Sequence, residues 1–454
     1  MSRSFLTAVL ASATLLAACG EENATAPTAM PSLAEGATGS LAAEVRSLAA
    51  GRGIGPLERP APVRPALVQL GQALAFDKVL SGNKDIACMT CHLPVFGTGD
   101  GLRFSIGTGG VGIGPARTHP GNTAIIPRNA PPAFNLFALR GLFWDGRVAE
   151  VAEGQFVTPA GQRLNPHMTG AFEFGPVSAQ PMFPVLSREE MRGASGNELA
   201  ALSDKQAQQI WKGLMDRLGR IREYRRMFEA AYPGQRFAEM NFAYAGNAMA
   251  GFFIDRLSFN DSPWDRFLAG DDNAMTEAQL RGAKDFMSAR CSICHNGPAF
   301  TDNQFHNVVV AQFGPGRGDG ADGKDDFGRA HETGRPEDKY AFRTPPLRNV
   351  ELTAPYGHDG AFMSLRDFVA HYSESDTRLR NFDASTLGTE FGGTLLRNFD
   401  EILATRDPLL DGVVFDDQTI DDVTEFMKAL TDPAARDLAS IVPASVPSGL
   451  PIDH

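Results

Sequence analysis

Apolar residues recur every three to four positions in a few well-separated stretches of this chain, so the predicted elements are almost all helices. Leu67, Leu70, Leu74 and Ala75 carry that spacing from Pro65 onward. Leu280, Ala283, Phe286 and Met287 repeat it and predict a helix over 278–290. Residues 241–268 read as a helix and a turn, with Ser262-Pro263-Trp264-Asp265 ending one element and starting the next. Ile420, Val423, Phe426, Met427 and Leu430 form an amphipathic stripe over 416–430. Convincing strand alternation is absent, and the Gly- and Asp-rich stretch 314–334 reads as loop. The expected fold is mostly α with long loops.

The N-terminus has a different pattern. Arg3 is the only charge among the first 20 residues, and an apolar run from Phe5 to Ala18 follows it. That run is short for a bilayer span and ends in small residues, as an export signal does. Leu16-Ala17-Ala18-Cys19-Gly20 resembles a lipoprotein lipobox, which implies cleavage before Cys19, acylation of its thiol and a membrane anchor. Gly20 rather than Asp after the cysteine points to the outer membrane of the periplasm. The expected organisation is a signal peptide over 1–18, a flexible tether over 19–57, a first domain over 58–270, a second over 271–435, and a loose tail over 436–454. The boundary falls near Gly270-Asp271-Asp272.

Cysteine usage changes the picture most. Of five cysteines, Cys19 belongs to the lipobox, and the rest form Cys88-Met89-Thr90-Cys91-His92 and Cys291-Ser292-Ile293-Cys294-His295. Cys-x-x-Cys-His is the attachment motif of c-type haem: two thiols on one turn bond the vinyl groups, and the adjacent His reaches the iron. A zinc site does not require His directly after each pair, and a thioredoxin-like dithiol belongs in a βαβ pattern that is not present. Each motif follows a predicted helix, so the chain reads as a duplicated c-type cytochrome unit with two covalent haems. Haem ligation by His92 and His295 leaves a sixth position on each iron, and what fills it separates catalysis from electron transfer.

Several further motifs strongly resemble those of the bacterial di-haem cytochrome c peroxidase and MauG family. They are Arg128-Asn129-Ala130-Pro131, Phe143-Trp144-Asp145-Gly146-Arg147, Asp261-Ser262-Pro263-Trp264-Asp265, the run Phe342 to Val350, and Leu352-Thr353-Ala354-Pro355-Tyr356-Gly357-His358-Asp359-Gly360. They span residues 60–432 in the family's order. The resemblance implies a peroxidatic haem in the first domain and an electron-transfer haem in the second. It implies Tyr372, after His371, as sixth ligand of the second haem, where most peroxidases of the family use Met; Met363 is the alternative. Trp144 matches the family's inter-haem Trp, expected to relay electrons. Asn129, Thr353 and Pro355 match its inter-haem calcium site, and His358 matches a His that tunes the second haem.

Where many members place a distal His over the first haem, Ser105-Ile106-Gly107-Thr108-Gly109-Gly110 has Thr108, so that haem is expected to be open; His119 lies a little further on. The Gly107-x-Gly109-x-x-Gly112 spacing lacks the strand and helix a dinucleotide site needs. Peroxide cleavage also needs a proton-moving group. The segment supplying it is longer here than in the family, and the candidates are Gln155, Gln180 and Glu173. The Asp319, Asp322 and Asp325 run reads as a solvated acidic loop.

The formal charge of −12 excludes nucleic acid as a partner and leaves room for a basic protein. The expected function is reduction of hydrogen peroxide with electrons from a small protein such as a cytochrome c. The alternatives are MauG-like, peroxide-dependent oxidation of a protein or small molecule, and electron transfer without catalysis. Members of the family are often dimeric, so a homodimer is among the expected states.

Overall fold

The computed structural model describes residues 33–121 and 125–454. The expected signal peptide, Cys19 and the first part of the expected tether lie outside the described residues. The predicted helices form at Pro65–Phe76, Phe242–Arg256, Pro263–Leu268, Glu277–Ser288 and Asp417–Ala429. Caps explain several starts. Ser262 accepts a hydrogen bond from Asp265 N, Thr276 from Gln279 N, and Asp416 from Thr419 N. Among the described residues five short strands also form: Gly141–Leu142, Val148–Ala152 and Gln155–Val157 in one sheet, Phe305–His306 and Phe342–Arg343 in another. They are too short to show alternation.

Two large apolar cores organise the chain, and the same device builds each. Pro65–Phe76 crosses Phe242–Arg256 so closely that a Cβ on Gly71 would stand 1.8 Å from the Ala248 carbonyl oxygen. Glu277–Ser288 crosses Asp417–Ala429 just as closely: a Cβ on Gly282 would stand 1.8 Å from the Asp422 carbonyl oxygen. Only glycine admits that approach. The first helix of each pair, Pro65–Phe76 and Glu277–Ser288, precedes a one-turn helix carrying a cysteine pair, Cys88–Cys91 or Cys291–Cys294. Trp264, Phe286, Phe300 and Phe426 meet edge-on or tilted in the second core, an arrangement that favours a dry, fixed interior.

The ends of the chain depart from expectation. Residues 33–51 are a helix, where a flexible tether was expected, because Ala42, Val45 and Ala49 fall on one face and bury in the second core. Arg46 fixes it by donating to the Phe267 carbonyl and pairing with Asp272. The expected loose tail is also ordered. Leu438, Ile441 and Val446 bury in the first core, Ser448 Oγ donates to Asp77, and Asp453 meets Lys78 and Thr90. Each terminal segment thus packs on the core more distant in sequence. The cores divide between Leu257 and Trp264 rather than at Gly270, because Trp264 and Phe267 belong to the second.

Candidate functional site

Each cysteine pair opens on its own cavity. The first is lined by Cys88, Cys91 and His92 with Gln180, Glu190, Arg147, Arg317 and Phe253. The second is lined by Cys291, Cys294 and His295 with Tyr372, His358, Phe368 and Met427. Trp144, Asn129, Pro132 and Arg343 line both.

The two histidines are held alike. His92 Nδ1 lies 2.9 Å from the Thr98 carbonyl oxygen, and His295 Nδ1 lies 3.0 Å from that of Phe300. A carbonyl only accepts, so Nδ1 carries the proton and Nε2 keeps its lone pair, the arrangement of a metal-ligating imidazole. Thr98 and Phe300 both adopt positive φ, 65° and 55°, to aim those carbonyls. Such backbone costs a non-glycine residue about 1–2 kcal/mol, a local sacrifice repeated at both motifs. Burial lowers the pKa of both rings, to about 4 for His295, so both are neutral near pH 7.

The four cysteines of the motifs are free of disulfides. Burial pushes Cys88 and Cys291 up to about 12, the opposite of what a redox dithiol needs. Cys294 also lies within 4.8 Å of Asp302 and His306. His306, however, bonds Asp302 through Nε2 at 2.9 Å and Asp407 through Nδ1 at 2.5 Å. Burial opposes its charge, but these partners and Cys294 raise it to about 11. With a proton on each nitrogen it has no lone pair for a metal.

Comparison with known proteins gives this duplicated arrangement a family. The sequence profile described as di-haem cytochrome c peroxidase matches residues 65–273. The cytochrome c551 peroxidase of Pseudomonas aeruginosa is 31% identical over 314 residues, covering 69% of this chain and 73% of that one. The chain belongs to the di-haem cytochrome c peroxidase family. The methylamine utilization protein MauG of Methylorubrum extorquens is 28% identical, over 70% of this chain and 71% of its own. In fold, the chain resembles a MauG-like protein associated with microbial copper homeostasis, with a TM-score of 0.58, 24% identity, and coverage of 86% and 95%. It also resembles the diheme peroxidase BthA of Burkholderia thailandensis, with a TM-score of 0.57, 21% identity, and coverage of 82% and 88%. The protein is therefore an oxidoreductase of the peroxidase type, and the family implies haem cofactors. The free thiols and Nδ1-protonated histidines facing both cavities fit that group.

Of the candidates for moving a proton in this peroxidase, only Gln180 lines the first cavity. Gln155 stands exposed on the strand Gln155–Val157, at the edge of its sheet. Glu173 is drawn away by Arg64, at 2.7 Å. The carboxylate at the cavity is Glu190, which the sequence reasoning missed. It sits in a single π-helical turn, Arg188–Arg192, whose start is capped by Ser187. Burial raises its pKa above the usual carboxylate range, against the pull of Arg147 and Arg317. Ser187-Arg188-Glu189-Glu190 has the S-x-x-E spacing of a helix start, a signal that was present in the sequence.

Thr108 is not at the cavity. Its hydroxyl lies 2.8 Å from Asp85 Oδ1 and 2.9 Å from the Asn83 Nδ2 donor. His119 meets Glu390 at 2.8 Å, away from the cavity. At the second cavity, Tyr372 follows the helix Leu365–His371, and burial raises its phenol. Met363 is 56% exposed and absent from the lining, whereas Met427 is part of it. His371 Nε2 is 2.7 Å from the Val308 carbonyl. His358 stacks on Phe342, with ring centroids 3.5 Å apart. Thr353 and Pro355 line the second cavity beside Asn129, whose Nδ2 donates to the Leu102 carbonyl.

Proposed function

We propose that this protein reduces hydrogen peroxide to water at the His92 cavity, with electrons entering from a small redox protein through the His295 cavity. Two covalent haems, held by Cys88, Cys91 and His92 and by Cys291, Cys294 and His295, supply the redox chemistry. The remaining work belongs to the chain. Gln180 binds and orients peroxide. Glu190 takes a proton from one peroxide oxygen and returns it to the other, a task suited to a carboxylate whose pKa is raised toward the working pH. Trp144 carries electrons between the cavities. Tyr372 would be the side-chain ligand of the second haem, where a phenolate would stabilise the oxidised form. Formally, peroxide, two electrons and two protons give two waters.

The observation that carries this reading is Glu190 and Gln180 in the same cavity as the Cys88–Cys91 turn and His92. It weighs against electron transfer without catalysis, which has no use for a buried carboxylate there. With Thr108 and His119 engaged elsewhere, neither side chain would compete with peroxide for the open face of a haem held at His92. Peroxide added to the fully oxidised protein is expected to shift the first haem's absorption at once; inertness until partial reduction would refute the open face.

Tyr372 favours a second reading, in which peroxide drives oxidation of an external protein or small molecule. Asn129, Thr353 and Pro355 form the proposed calcium site, where the committed Asn129 Nδ2 leaves Oδ1 for a cation. We place the protein in the periplasm, anchored through Cys19 to the outer membrane. Among the described residues no helix is long and apolar enough to cross a membrane. A homodimer remains part of the proposal.

A further inference from the structure

The loop after Gly314 lies in the second half of the chain, yet one of its side chains reaches the first cavity. Arg317 lines that cavity with Gln180, Glu190 and Arg147. The acidic run read as a solvated loop is a scaffold that delivers it. Gly316 has φ +67°, and a Cβ there would stand 2.1 Å from the Lys324 carbonyl oxygen, so only glycine lets the two limbs close. Arg317 N donates to the Asp325 carbonyl at 2.8 Å, and Asp319 bridges to Asp325. The Asp319 carboxylate accepts from Phe327 N at 2.9 Å and meets His331 Nδ1 at 2.8 Å.

The other cations of the cavity wall are committed. Arg128 bonds Asp145 and Asp326, Arg147 bonds Asp145 and stacks on Phe143, and Arg343 donates to the Phe143 and Thr344 carbonyls. Arg317 is different. Its nearest carboxylate oxygens, on Asp145 and Glu332, are 3.8 and 4.0 Å away, beyond hydrogen-bond reach. Its Nε is buried without a partner. A buried donor left unpaired is costly, and among the buried arginines with such an atom Arg317 is one that lines a cavity, where a ligand can satisfy it. Guanidinium stays charged in such surroundings, so the ligand class is a small anion or a group that becomes one.

We propose that Arg317 is a catalytic residue of the first cavity. Its guanidinium donates to the bound peroxide and stabilises the negative charge that develops on the departing oxygen as the O–O bond breaks. Glu190 transfers the proton from one oxygen to the other. Two electrons from the external one-electron donor protein and two protons complete the conversion to two waters. The inference rests on the peroxide-reducing reading above. It makes the first cavity a joint product of both halves of the chain.

Fluoride is a suitable probe, being a small hydrogen-bond-accepting anion without redox chemistry. Its dissociation constant is read from the absorption of the oxidised di-haem protein, for the parent, R317Q and R317K. Loss of a charge-assisted hydrogen bond weakens binding roughly ten- to hundredfold, which is the result expected for R317Q. R317K is expected to lie between it and the parent, since the charge returns without the planar fork. Unchanged fluoride affinity in R317Q with both haems attached would overturn the assignment and leave peroxide reduction standing. A parent protein showing no spectral response to fluoride or peroxide would overturn the open first site and Arg317's role with it. If R317Q fails to retain haem, R317K decides alone, and a parent-like constant overturns the proposal.

Discussion

The indole N–H of Trp144 donates to the Asn129 carbonyl oxygen at 2.9 Å, and this bond fixes the ring in the wall shared by the two cavities. The bond spends the Asn129 carbonyl on Trp144, while Arg343 N donates to the Trp144 carbonyl at 2.8 Å from the other side. Trp144 is thereby held, ring and backbone, by residues from both halves of the chain. Trp144→Phe keeps an aromatic ring and loses the indole. It is expected to leave both haems attached and slow electron passage between them, measured by rapid reduction of the second haem and the delay before the first responds.

Glu190→Gln removes the proton carrier and keeps the shape. General acid–base catalysis of this kind contributes about 10²–10⁴-fold, so turnover is expected to fall by that order with haem content unchanged. A loss under threefold would move the role to another group.

The same residue sets a pH dependence. Burial raises the Glu190 pKa, and Glu190 accepts a proton only when ionised. Activity is therefore expected to fall as pH drops through that raised value, at a higher pH than an ordinary carboxylate would give. Glu190→Gln should abolish this acid limb. A limb of unchanged position in the variant would assign it elsewhere.

Tyr372→Met replaces a hard anionic ligand with a soft neutral one, so the reduction potential of the second haem is expected to rise. A potentiometric titration measures it. An unchanged potential would point to Met427, which also lines that cavity.

Truncation after Arg436 removes Leu438, Ile441 and Val446 from the first core. Each fully buried aliphatic side chain is worth about 1.5–3 kcal/mol, so the first core is expected to melt at lower temperature. An unchanged melt would make the tail a passive passenger.

The two Cys-x-x-Cys-His turns and their preceding helices were legible because their signals are local: a five-residue motif and a three-to-four spacing. Trp144 and Tyr372 were reached by resemblance; Trp144 lines both cavities and Tyr372 the second. Glu190 was not, because a longer distal segment and a π-turn defeat counting along the chain. Arg317 has no local signal at all, since its position depends on a loop closing against the other half of the molecule. The helix Leu33–Gly51 hid behind an Ala- and Gly-rich composition, although Ala42, Val45 and Ala49 carry its spacing. Tertiary burial, not propensity, gives it a reason to form.

The most direct test of the central claim is steady-state oxidation of a reduced small cytochrome c by hydrogen peroxide, catalysed by the purified di-haem protein without prior reduction. The account predicts sustained turnover from the first mixing, lost in Glu190→Gln. No turnover, with the haem spectrum still responding to peroxide, would contradict it and leave oxidation of an external substrate as the function.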